Sequence, residues 1–110
     1  MSDVESTQPE IPSDEERIPL PPATFSFMVF SLRAQAEMQL GLMNFGQEER
    51  PEPDLPMARH TIDMLGILHE KTKGNLTLEE QRLLENSLTE LRFRFVQASS
   101  EAGKAAAPSA

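Results

Sequence analysis

Residues 54–96 read DLPMARHTIDMLGILHEKTKGNLTLEEQRLLENSLTELRFRFV, and they spell out a helix, a stop, a restart and a second helix. Asp54 supplies an N-cap oxygen, and Pro56 sits in the first turn, where its missing N–H costs nothing. Leu55, Ala58, Ile62 and Leu65 recur at spacings of three and four, and Met57, Met64 and Leu68 widen that stripe to about half the wheel. Arg59, Asp63, Glu70 and Lys71 take the other half, with Ile67 as an exception. Lys71 and Lys73 complement the helix dipole in the last turn, and Gly74 is placed as a left-handed stop. Thr77 with Glu80 three residues on is a reciprocal capping box that opens the next helix. Its apolar face is Leu83, Leu84, Leu88, Leu91, Phe95 and Ala98. The Gly74-Asn75-Leu76 link is so short that the two helices must lie antiparallel as neighbours.

Upstream, Thr24 or Ser26 caps a further helix that follows Pro21-Pro22 and ends near Gly41 to Gly46. On a helical wheel Phe25, Met28, Val29, Leu32, Ala36, Leu40 and Met43 form one broad stripe. Phe27, Phe30, Ala34, Met38 and Leu42 occupy much of the opposite side. Ser26, Arg33 and Glu37 make a narrow polar strip, with the two charges four residues apart. A helix apolar nearly all round requires cover nearly all round. Two partner helices leave part of it bare, and a second copy of the chain can supply the remainder. Phe93 and Val96 break the pattern of the last helix in the same sense, projecting from its far side near Leu78.

The rest of the composition bounds this picture. The 110 residues allow one small domain and carry a formal charge of −8. Residues 1–23 hold five prolines and a net −5, residues 24–98 hold −3, and the Ala/Ser tail 99–110 is neutral. The two ends bury too little to offset the entropy of ordering them, so they read as disordered arms flanking a helical domain over 24–98. A core drawn from about 75 residues is marginal and is commonly supported by disulfides, metals or association. There is no Cys, which removes disulfides and thiolate sites and leaves association. The opening Met1-Ser2-Asp3-Val4-Glu5 has no basic region before an apolar run, so the chain reads as cytoplasmic. Phe25 to Met43 nearly reaches bilayer length but carries Arg33 and Glu37, so no membrane span is expected.

A run of residues resembles a known family. Phe25 to Leu32 with Gln35-Ala36, then Asp54-Leu55-Pro56, Ala58-Arg59, Ile62-Asp63, Leu65, the stretch Glu70 to Thr77, Glu80, Leu83-Leu84, Leu88, Leu91-Arg92 and Phe95-Val96 are similar to a small bacterial family catalogued as domain of unknown function 1844. The resemblance covers about two-thirds of the chain, and its most specific part is Glu70-Lys71-Thr72-Lys73-Gly74-Asn75-Leu76-Thr77. It implies a short, soluble, mostly helical bacterial protein with no assigned activity.

Residues that could carry chemistry are few. No Cys or Tyr offers a nucleophile, and no Ser has a neighbouring His in sequence. His60 and His69 fall about 180° apart on one helix, so they cannot share a metal. His60 and Asp63 are one turn apart, half of a zinc site at most, and they read as a solvated pair. His69 lies in the apolar arc and reads as a packed histidine bonded to a last-turn carbonyl. Lys71 and Lys73 beside the amides of the last helix form a weak anion-site candidate, opposed by Glu79 and Glu80. Arg82, Arg92 and Arg94 alternate with Glu79, Glu85 and Glu90, which is not the basic stripe nucleic acid requires.

The expectation is therefore an all-α protein of three helices, the first packed on an antiparallel hairpin of the second and third. It has no catalytic residue, cofactor or metal. Its function is that of a non-enzymatic interaction or assembly protein, associating with itself as a dimer or higher oligomer through Phe27, Phe30, Met38, Phe93 and Val96. An unidentified protein is a further candidate partner, and nucleic acid is not. The alternative is a binder of an apolar small molecule or acyl chain, held in a groove between the first two helices lined by Met and Phe. Met28, Met38, Met43, Met57 and Met64 all fall on that pair.

Overall fold

The computed structural model describes residues 19–43, 46 and 51–106. The described residues form three helices: α1 (Phe25–Gln39), α2 (Leu55–Lys71) and α3 (Leu78–Ala106). Each packs on the other two. The family of contacts at the helix ends fixes their directions. The Asp54 amide donates to the Gln39 carbonyl at 2.7 Å, so the start of α2 is tied to the end of α1. Thr61 of α2 donates its hydroxyl to Gln39 Oε1 at 2.7 Å. The two helices thus run antiparallel, α2 and α3 do the same across residues 72–77, and α1 lies parallel to α3.

The local signals in the sequence act as expected at most ends. Of the two candidate caps for α1, Thr24 takes the role: its backbone is extended and its Oγ1 accepts from the Phe27 amide at 3.0 Å. Asp54 Oδ1 accepts from the Met57 amide at 3.2 Å, with Pro56 in the first turn. Thr77 and Glu80 exchange both bonds of the capping box, at 2.9 and 3.1 Å. Gly74 has φ +81°, as the left-handed stop requires.

The last residue of α1 is Gln39, with Leu40 as its cap, so the helix ends at the Gly41 limit of the expected range. Gly41 adopts φ +76°, its amide donates to Met38 O, and the Leu42 amide donates to Glu37 O, both at 3.0 Å. That pair of bonds satisfies the last carbonyls by the Schellman pattern and turns the chain out of the helix. Leu42 and Met43 therefore leave the α1 wheel, and both are half-buried rather than on opposite faces. The boundary that moves is the last. α3 runs 29 residues to Ala106, past Ala98 and into the tail: Ala, Glu and Lys are strong helix formers, and Gly103 lies inside the helix without the positive φ of a stop. Residues 99–104 of this extension are exposed. The acidic arm as far as Ile18 and the final residues 107–110 lie outside the described residues.

Among the described residues nine apolar side chains form the core: Val29 and Ala36 of α1 with its cap residue Leu40; Ala58, Ile62 and Leu65 of α2; Leu84, Leu88 and Leu91 of α3. Phe25, Leu32, Leu55, Leu68, Leu83, Phe95 and Ala98 pack around it, half-buried. Met28, expected in the inner stripe of α1, is instead exposed, as is Met57 on α2.

The tight connection after α1 leads to an expected outcome. A Cβ on Gly41 would stand 2.5 Å from the Pro51 carbonyl oxygen, whereas one on Gly74 meets nothing within 4 Å. Gly74→Ala should cost about 1–2 kcal/mol, the strain of left-handed backbone alone. Gly41→Ala should cost clearly more, because the 51–54 return must also move. Urea midpoints of the two variants check the order, and equal losses would contradict it.

Candidate functional site

The site is built by the way α1 is turned about its own axis. Its core residues Val29, Ala36 and Leu40 lie within about 40° of one another on the wheel, and that arc faces the hairpin. Arg33 and Glu37 flank the arc on the side of α3. Their ion pair measures 3.2 Å with both side chains about three-quarters buried. Arg33 Nη1 donates to Ser87 Oγ at 3.4 Å, and Ser87 is fully buried on α3. The narrow polar strip of α1 thus lies against a neighbouring helix. Phe27, Phe30 and Met38, outside the core arc of α1, stand in solvent with 44%, 53% and 48% of their surface exposed.

A second apolar surface lies on α3. Leu78, Phe93 and Val96 are 61%, 58% and 64% exposed. The last two do not play the same part. Phe93 points away from the bundle on the wheel, while Val96 edges a groove of about 190 Å³ between α2 and α3. Ile62, Phe95 and Val96 form its apolar walls, and Arg59, Asp63 and Arg92 its rim. Arg59 Nε reaches Asp63 Oδ2 at 3.9 Å on an exposed face. Arg92 has no hydrogen-bond or ion-pair partner among the described residues. Its guanidinium reaches across to α2 at Gly66, 3.3 Å from where a Cβ would stand, so a side chain there would move it by a few tenths of an ångström.

The histidines are separate, as their spacing requires. His60 is exposed. Asp63, its expected companion, is beside Arg59. His69 is half-buried, but its partner is not a last-turn carbonyl. Thr72 Oγ1 takes the Leu68 carbonyl at 2.7 Å, and His69 Nε2 pairs instead with Glu85 Oε2 of α3 at 3.1 Å. This pair ties the closed end of the hairpin. The hydrogen bond from His69, followed by one from Gln81, holds the Glu85 carboxyl below the ordinary glutamate range. Lys73 lines a small hollow of about 140 Å³ with His69, Gly74 and Glu85; Lys71 does not line it. Glu80 and Thr77 already occupy two amides of the α3 N-terminus, and the Glu85 carboxylate faces the same hollow. Among the described residues no group of three or more side chains is arranged to hold a metal ion, and no helix is long and apolar enough to cross a membrane.

Two functional features escaped the sequence reading: Thr61 and Ser87, both fully buried polar residues that receive or send a bond to α1. A signal for them existed. Thr61 falls between Ala58, Ile62 and Leu65, and Ser87 between Leu84, Leu88 and Leu91, so each sits at a core-facing spacing. A hydroxyl at such a position needs a partner from another element.

A protein-family model matches residues 22–97, and its description is "Domain of unknown function (DUF1844)". The match begins just before the α1 cap and stops while α3 still continues. No curated protein and no solved structure matches the chain.

The His69–Glu85 tie makes stability depend on pH in a definite direction. A carboxyl lowered in the folded state contributes stability that is present above its unfolded value and is lost as pH falls through its folded value. The stability gap between the natural chain and Glu85→Gln should narrow as acidification passes through and below the ordinary glutamate range. Denaturant titrations of both across that range check it; a gap undiminished well below that range would contradict the assignment.

Proposed function

We propose, for a chain that belongs to the family Domain of unknown function (DUF1844), a non-enzymatic role as an assembly protein of the cytoplasm that associates with its own copies through α1 and the outer face of α3. One observation carries the reading: α1 turns its charged pair inward and its Phe27, Phe30 and Met38 outward. Magnitudes show why this is informative. Fully burying a Phe or Met side chain is worth about 1.5–3 kcal/mol, and these three are left about half bare. A helical i,i+4 ion pair supplies only about 0.3–0.5 kcal/mol. For an isolated chain the exchange is poor. Association recovers the apolar term without disturbing Arg33, Glu37 or Ser87.

The pattern suits a helix seam. Phe27, Phe30, Ala34 and Met38 follow spacings of three and four along the exposed side of α1, with the small Ala34 at the middle, where two helices approach most closely. On α3, Phe93, Val96 and Leu78 provide a second contact surface. A single exposed Phe is ordinary, but a row of them on a 15-residue helix calls for a partner.

Sedimentation equilibrium tests the reading. The natural chain should sediment as a multiple of 12.3 kDa. Phe27→Glu with Met38→Glu should shift it to the single chain with helical content retained, since neither side chain belongs to the core. Phe93→Glu with Val96→Ser should weaken association in the same assay. A natural chain that stays single at tens of micromolar, or an oligomer that survives all four changes, would sink the proposal.

A further inference from the structure

We infer that the groove between α2 and α3 is the docking site for an acidic segment of the chain's own N-terminal arm, residues 10–16. The groove combines apolar walls, Ile62, Phe95 and Val96, with the guanidinium groups of Arg59 and Arg92 at its rim. Arg92 is the telling group. Its guanidinium reaches Gly66 of α2, beside an apolar surface, with no acidic partner among the described residues, while the one acid of the rim, Asp63, is beside Arg59. Arg59 meets Asp63 only at 3.9 Å, with both side chains largely exposed, so it too is available to a better-placed carboxylate.

The arm has the complementary chemistry. Residues 10–16 read EIPSDEE: four carboxylates, no base, and Ile11 as the one large apolar side chain. Ile11 matches the apolar walls, and the flanking acids match the two arginines. The reach is also right. Arg33 stands opposite Ser87, and α1 and α3 are parallel, so the level of Phe95 lies about 24 Å along α3 from the level of Phe25 at 1.5 Å per residue. Adding about 10 Å to pass round the bundle, an extended proline-rich chain at about 3.1 Å per residue needs roughly ten residues back from Thr24. That brings residues 10–16 to the groove, and an intramolecular tether of this length gives a weak contact a high effective concentration.

Docking of the arm does not depend on self-association, although both use Val96. A nitroxide on Ser13→Cys tests it in the full chain, which has no other cysteine. With spin label and 15N on the same chain, the amides of Ile62, Phe95 and Val96 should broaden, while those near Lys73 should not. Arg59→Glu with Arg92→Glu, two exposed positions outside the core, should abolish the broadening while helical content is kept. With label and 15N on different chains, mixed, the broadening should be absent. No broadening in the first sample would overturn the inference, as would equal broadening in the mixed sample, which means a second copy's arm, or broadening that persists in the double variant. A single-chain sedimentation result would remove the self-association proposal and leave this readout untouched.

Discussion

Arg33 lies between α1 and α3, and its placement sets the rotation of α1 for the rest of the molecule. Side chains on a helix advance by a fixed 100° per residue, so putting Arg33 against Ser87 leaves no freedom for the others. Val29, Ala36 and Leu40 then face the hairpin, and Phe27, Phe30 and Met38 face away. The bond to Ser87 is long at 3.4 Å, and the ion pair is modest in energy, so neither holds the helix by force. What they do is satisfy a charge and a hydroxyl that the packing has placed inside. Removing one partner would leave the other buried without a bond, which costs more than the bond itself contributes.

Small residues explain why packing prefers this arrangement. Ala36 on α1 and Ala58 on α2 are fully buried. They let the helix backbones come close while Leu65, Leu84 and Leu91 fill the space between. A rotation that brought Phe27 and Phe30 inward would replace these small contacts with two large rings and separate the helices. The polar contacts between the helices agree with the same geometry. Gln39 accepts from Thr61, Arg33 donates to Ser87, and His69 meets Glu85, so each pair of helices shares one specific polar contact. No buried side-chain polar atom among the described residues lacks a partner.

The same geometry bears on function through surfaces rather than chemistry. α1 and α3 each carry an exposed apolar strip, and α2 and α3 together frame a groove with arginines at its edge. These are features of recognition: apolar area supplies the driving force, and charges at the margin select the partner. The residues that sequence inspection raised for chemistry remain scattered. His60, His69, Lys71 and Lys73 occupy different sides or ends of α2 and the turn after it, and His69 is engaged in holding the hairpin together.

How much of this was readable in advance follows from the range of each interaction. Asp54, Pro56, Gly74, Thr77 and Glu80 act on backbone groups within three or four residues, so the hairpin, its caps and its turn were legible from residues 54–96 alone. The apolar faces of α2 and α3 were legible for the same reason, because each has one clear polar side to exclude. The choice of Gly41 over Gly46 as the end of α1 was not, since both glycines adopt positive φ and only the return of Pro51 to Gly41 distinguishes them. Nor was the inward face of α1. Apolar residues surround that helix, so its periodicity defines no preferred side, and the narrow polar strip could face water or a partner. Sequence by itself determined three helices, a hairpin and a chain short of cover. Only the tertiary structure decided which side of α1 went without cover, because that depends on how Ala36 packs against the hairpin and on a partner for Arg33 at Ser87, 54 residues away.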